Sequence, residues 1–339
     1  MPNQRVSEGR FHACAPAVER HRWMMRAFVE FHRDFYRFLT PLFDGDIETV
    51  CLAEALTLRA GPLAFLGAGP AEDAQAAAAA AGAGTLAHDL GLPWETARRK
   101  LCRLVERGIA LKEAGGRFRL RPGTLAGPRF LDAGAGIGAL AAGFLNRCLR
   151  EGYIGLERAG PGGTRDKLPL DPERPRQIAE GGRPDGRELL RLSFSWLFIE
   201  IYLVRSRVYE RDIEQALISD AVGLFAVEQL YHSPEYRDRL GSMAVILGEN
   251  QKGVSARWVA EQTGLPRETV RRKLKRMVET GFLSETEDSR YIFKPGLFLR
   301  PDIVAAVQAI ERLIVEFLER TLRLGIFVVM RDEADSTEV

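Results

Sequence analysis

Hydrophobic and polar positions set the first boundaries. Along the segment that follows Pro266, the apolar residues Val270, Leu274, Met277 and Val278 recur at spacings of three and four, which predicts a helix with one buried stripe. At about 100° per residue, Arg267, Glu268, Arg271, Arg272 and Lys275 gather on the adjoining arc. Upstream, Ser255 is placed to cap a short helix carrying Trp258, Val259 and Thr263, closed by Gly264, and Pro266 opens the basic helix at its first turn. Downstream, Gly281 ends the helix, and FLSETEDSRYIF sets a polar tip, Glu287 to Ser289, between two β-prone stretches, a hairpin pattern. A further helix is expected over Glu235 to Leu247, before the loop GENQKG.

The same order occurs earlier in the chain. GLPWETARRKLCRL from Gly91 is echoed by GLPRETVRRKLKRM from Gly264, an offset of 173 that also aligns Pro122-Gly123 with Pro295-Gly296 and FLNRCLR from Phe144 with FLERTLR from Phe317. In this first copy Leu86 and Ala87 lie in the short helix, Ala97, Leu101, Leu104 and Val105 form the stripe, and Gly115-Gly116 form the hairpin tip. Asp46-Ile47-Glu48 matches Asp212-Ile213-Glu214 at a smaller offset, so the second copy carries a short insertion. Flanking helices are expected over Trp23 to Leu39, Asp46 to Leu58 and Phe130 to Arg150, and over Glu188 to Glu210, Asp212 to Leu230 and Ile303 to Leu324.

A repeat of this size predicts a mainly α chain with small β wings: two tandem winged helix-turn-helix repeats whose flanking helices form a pseudo-dimer. The expected division is 1–157 for repeat one, 158–187 for a linker, 188–330 for repeat two and 331–339 for a disordered tail. The linker, rich in Gly, Pro and charge, is expected to behave as a coil with an end-to-end distance of about 30 Å. That is close to the roughly 34 Å between successive half-sites on one face of B-DNA. A low-complexity run, AQAAAAAAGAG from Ala74, reads as a weakly specified helix and loop. The apolar run LSFSWLFIEIYLV from Leu192 has no polar face, which fits either a core shared by the two copies or one inside its own copy.

Composition narrows the partners. The chain has 339 residues, 46% of them hydrophobic, and a net charge of only +2, so affinity for nucleic acid has to come from local clusters of Lys and Arg. Cys14, Cys51, Cys102 and Cys148 are scattered, which points to reduced, packed thiols rather than a zinc site or a disulfide framework; a redox-sensing thiol is the sharper alternative. The N-terminal stretch lacks the apolar core of a signal peptide, and Glu200 interrupts the most apolar run well short of a membrane span. A cytoplasmic protein at the bacterial nucleoid, with no membrane partner, is expected.

The words Arg267-Glu268-Thr269-Val270-Arg271-Arg272 resemble the recognition helix of bacterial winged-helix regulators of the Crp and DeoR families. The flanking helices are similar in layout to the MarR family, as if two protomers were fused in tandem. That resemblance implies a sequence-specific transcriptional regulator, a repressor or autoregulator, binding double-stranded DNA as a pseudo-dimeric monomer or a homodimer. No effector domain of the Crp or DeoR type accompanies the motif, and a small-molecule effector is left open. Read from the residues, Arg272 suits guanine O6 and N7, Arg267 suits a guanine or a phosphate, and Glu268 suits a cytosine N4 amine. In the first copy Glu95 and Arg99 match, while Trp94 replaces the first Arg. Thr269, Thr96, Arg271, Arg98 and Lys275 suit phosphates, and Arg290 and Arg117, just past the hairpin tips, suit a narrow minor groove. The plainer alternative is that Glu268 and its neighbours form surface ion pairs, and that Arg290 pairs with Glu287 or Asp288.

Other signals carry little. The glycines of LDAGAGIGALAAG align with plainly helical VAAVQAIERLIVE, so a nucleotide loop is not expected. His21 and His32 lie about 16 Å apart along a helix, too far for one metal. No nucleophile, base and acid constellation points to an enzyme, and no cofactor is expected. Two further readings stay open: a plasmid-type replication initiator or partition factor with two winged helices, and a winged-helix protein-interaction module.

Overall fold

The structure, a computed structural model, describes residues 11–14, 21–61, 79–160, 164–168, 176–231 and 251–330. Its first half runs β1 (Phe11–Cys14), α1 (His21–Leu39), α2 (Ile47–Ala60), β2 (Ala81–Gly82), α3 (Ala83–Leu90), α4 (Trp94–Glu106), β3 (Ala110–Lys112), β4 (Arg117–Leu120), α5 (Pro128–Arg150), β5 (Gly155–Ala159) and β6 (Arg165–Lys167). There follow β7 (Ile178–Glu180), α6 (Gly186–Val208), α7 (Ile213–Tyr231), α8 (Ala256–Thr263), α9 (Arg267–Glu279), β8 (Leu283–Glu285), β9 (Tyr291–Phe293), α10 (Pro301–Arg323) and β10 (Phe327–Val329). The chain is mainly helical with small antiparallel sheets. No described helix is long and apolar enough to cross a membrane. The helix expected over Glu235 to Leu247, the Ala74 run and the tail 331–339 lie outside the described residues.

Local chemistry accounts for the element ends. The Ser255 hydroxyl accepts from the Trp258 amide at 3.2 Å at the start of α8, and Gly264, at φ 71°, closes that helix. Pro266 occupies the cap position one residue ahead of α9, not its first turn as expected, because the ring is compatible with the extended ψ of 135° it adopts there. Val270, Leu274 and Met277 are 0% exposed, and they pack with Val259, Phe282 and Tyr291. In the first half Leu86, Ala97, Leu101 and Leu104 are as deeply buried, while Val105 is only half-buried. Each hairpin gains a third edge at an equivalent place: Ala81 pairs with Phe118, and Val254 with Tyr291.

The chain folds as two compact units that are interleaved in sequence. One holds β1, α2 from Glu48, β2 to β7, α3 to α5, α6 through Ile201, and α10 from Arg312 with β10. The other holds α1, α6 from Tyr202, α7 to α9, β8, β9 and α10 through Glu311. The consecutive division expected from the repeat therefore does not describe the packing: α1, from the first copy, sits with α7 to α9 of the second.

Equivalent side chains make these exchanges. Glu54 and Asp220 each lie eight residues after the aspartate of the matching Asp-Ile-Glu. In the first unit Glu54, 1% exposed, takes both arms of Arg191 from α6, at 2.5 and 2.7 Å. In the second, Asp220 takes both arms of Arg205 at 2.6 and 2.7 Å and meets His32 Nδ1 of α1 at 2.9 Å. A second reciprocal pair stands where FLNRCLR and FLERTLR differ. Asn146 of α5 brackets the backbone of Ile178 in β7, and Glu319 of α10 accepts from the Ala13 amide of β1 at 2.7 Å and meets His12 at 2.8 Å. All five of these residues lie in the first unit.

The stretch expected to be a coiled linker carries strands. Arg158 and Ala159 end β5, which pairs with β1 and β6, and β7 pairs with β10. Short strands bound on one or two edges need backbone partners rather than apolar periodicity, so charge and glycine content did not exclude them. LSFSWLFIEIYLV lies within α6, where Phe194 meets Phe317 of α10 from its own copy edge to face, centroids 5.6 Å apart; Arg191, just ahead of the run, engages Glu54 of α2 from the first copy. The glycines near Leu131 lie inside α5. A Cβ on Gly138 would stand 3.1 Å from Leu190 Cδ2, so one of them permits close approach of α6.

His32 adds a pH dependence. Loss of solvation pushes its imidazole down to about 4, opposed by the bond to Asp220 and assisted by the Arg205 charge. Burial works against ionisation of Asp220, but the Arg205 charge and the hydrogen bonds from His32 and Arg205 together outweigh it and hold the carboxyl below its usual range. Below pH 6.5 the unfolded chain protonates this histidine while the folded chain does not until about pH 4. Stability therefore falls with pH in that window, by about 2 kcal/mol between pH 7 and 5 from this group alone. Urea unfolding at both pH values should show this loss in the wild type and a smaller one in His32→Gln. Equal losses in the two proteins would remove His32 as the cause.

Candidate nucleic-acid interface

Two exposed basic helices, α4 and α9, stand at equivalent places in the two units. Each follows a short helix across a tight turn, buries one stripe and is followed by an antiparallel hairpin. Each is also bolted inward by a lysine. Lys100 meets Glu48 at 3.2 Å, and Lys273 meets Asp212 and, at 3.1 Å, Glu214. Sequence reasoning passed over this pair. The signal was available: Lys273 falls three residues after Val270 and one before Leu274, at the edge of the buried stripe, next to the acids of Asp-Ile-Glu.

The outward arc of α9 presents Arg267, Arg272 and Lys275, all exposed and without a hydrogen bond or ion pair among the described residues. Thr269 is half-buried. Glu268 accepts from Arg271 through both oxygens, at 2.7 and 3.0 Å. On α4 the arrangement repeats, Glu95 accepting from Arg98 at 2.6 and 3.0 Å, with Arg99 exposed and without a hydrogen bond or ion pair among the described residues, and Thr96 half-buried. The hydrogen bond from Arg271 holds the Glu268 carboxyl below its ordinary range, and Arg98 does the same for Glu95. In the free chain the surface-pair alternative thus describes these two acids. Such solvent-exposed pairs are weak and open readily, so each also stores an acceptor and a cation one bond apart.

The hairpin tips differ. Arg117 is exposed, and its side chain has no hydrogen bond or ion pair among the described residues, past Gly115 and Gly116 at φ 74° and 72°. Arg290 is exposed but engaged, 2.9 Å from Asp288 and donating to the Gly253 carbonyl at 3.2 Å. Trp94, the first residue of α4, is 56% exposed, with the Arg98 guanidinium 5.7 Å from its ring centroid. Cys102, on the same helix, is half-buried, as is Cys14; Cys51 and Cys148 are buried, and burial pushes the Cys148 thiol up to about 12. The second unit also contains a cavity of about 610 Å³ walled by α1, α7 and α8, with Arg26, Arg33, Tyr36 and Trp258 on its lining and Gly264 and Leu265 at the turn before α9. Compared with family models, curated proteins and solved structures, the chain matches none.

Proposed function

We propose that the chain is a sequence-specific regulator of transcription that binds double-stranded DNA through α4 and α9. On this reading each helix-turn-helix and hairpin is a winged helix, the chain is a fused pseudo-dimer, and the two helices read an imperfect inverted repeat in adjacent major grooves. The observation that carries it is the recurrence, on two separately packed units, of one exposed arrangement. A Glu–Arg pair stands beside an unpaired Arg, on a helix fixed from behind by a Lys–carboxylate pair. A purely structural helix has no use for unpaired guanidinium groups on its outward face twice over, whereas phosphates and guanine edges need them. Glu95 and Glu268 supply the acceptor that a cytosine amine would use once Arg98 and Arg271 swing to phosphates.

The test is selection from random duplexes, followed by binding measured across salt concentration. A recovered consensus, with log affinity falling against log salt more steeply than about −3, is expected from several phosphate contacts. A slope near zero and no consensus would overturn the assignment and favour a protein partner. Recovery of iterated origin-like sites in place of a single imperfect inverted repeat would favour an initiator of replication.

A further inference from the structure

Trp94 is the point at which the two basic helices differ most. It stands at the first position of α4, where α9 has Arg267, and it is 56% exposed. An indole left in water at the leading end of a basic helix has no folding role in proportion to its size, and here it is also held. The Arg98 guanidinium lies over its ring, 5.7 Å from the centroid. In the free chain Arg98 is in turn bonded twice to Glu95. Arg98 thus covers one face of the ring, and Gly84 of α3 lies beside its edge with no side chain to crowd it.

Resting on the DNA-reading role above, we propose that Trp94 reads the 5-methyl group of a thymine in the half-site contacted by α4. The leading residues of a helix in the major groove face base edges, and thymine alone offers an apolar group there. Against any other edge the indole would cover amines, carbonyls or ring nitrogens and leave most of them without a bond. Against the methyl it buries apolar surface on both partners. Arg267 at the equivalent place selects a guanine or a phosphate, so the half-sites of one target differ at this position in kind.

The experiment replaces each thymine of the selected duplex, one at a time, by deoxyuridine, which removes only the methyl. One substitution is expected to weaken wild-type binding about 4-fold, the equivalent of one buried methyl. Trp94→Ala should lose that sensitivity and Trp94→Phe keep it, with unchanged thermal melting in both. If DNA binds with the expected salt dependence but no deoxyuridine matters, or if the sensitivity persists in Trp94→Ala, the assignment to Trp94 fails and the DNA-reading role survives. If no duplex is selected at all, both fail together.

Discussion

Glu54→Ala is expected to lower the free energy of unfolding by about 3 to 5 kcal/mol, one of the largest single effects in the chain. The magnitude follows from what remains, not from the bond lost. Glu54 is 1% exposed and Arg191 6%, and the guanidinium meets the carboxylate through both oxygens and donates once more to the Ser195 hydroxyl at 2.7 Å. With Glu54 gone, Arg191 keeps its charge in a place water does not reach, with only a hydroxyl to answer it. Removing both charges is a different matter. Glu54→Leu with Arg191→Met leaves no buried ion and fills much of the same volume, and it is expected to recover most of the loss or to exceed wild-type stability. Chemical denaturation of the two single variants and the double variant gives the coupling directly. A loss below about 1 kcal/mol in Glu54→Ala would show that Arg191 finds water or another acceptor, and that the pair does not tie α6 to α2.

The same residues mark how far the sequence can be read. The buried stripes of α4 and α9, apart from the half-buried Val105 and Val278 at their ends, the Ser255 cap, the glycine ends and the hairpins follow from short-range spacing and side-chain chemistry, and they lie where the pattern put them. The outward Arg267, Glu268, Arg271 and Arg272 follow from the same helical geometry, since whatever shares no face with the stripe must face away from it. What the pattern could not contain is exchange between the copies. Glu54 gives no local sign that its partner is Arg191, nor Asp220 that His32 of α1 completes its surroundings, because such pairings depend on tertiary packing across more than a hundred residues. In the sequence His32 offers only a metal-ligand reading, whereas in the fold it is a neutral neighbour hydrogen-bonded beside the buried Arg205–Asp220 pair. Composition misled at 158–187 for a related reason. Strands β5, β6 and β7 are held by backbone bonds to partners elsewhere in the chain, and a strand of three residues leaves almost no periodic trace.

The double variant Arg99→Ala with Arg272→Ala should nearly abolish specific binding while leaving the fold intact. Both side chains are exposed and make no hydrogen bond or ion pair among the described residues, acting only as charges near the exposed Glu95 and Glu268, so their loss removes little from the folded chain. Each, if bidentate to a guanine, contributes about 1 to 3 kcal/mol on the cognate site. If they serve different half-sites the losses add, to about 2 to 6 kcal/mol, a fall of roughly 30-fold to 10⁴-fold in affinity. On random duplexes the fall should be far smaller, since there each arginine counts only as a charge near phosphate. The single variants divide the possibilities. Equal losses on cognate and random DNA would make Arg272 a phosphate contact, not a base reader. If Arg99→Ala binds like wild type and the double variant like Arg272→Ala, α4 does not read DNA. The repeated phrase is then a duplication in which only the second copy kept the function. A loss for each variant, confined to opposite halves of the footprint, is the result that two readers in one chain require.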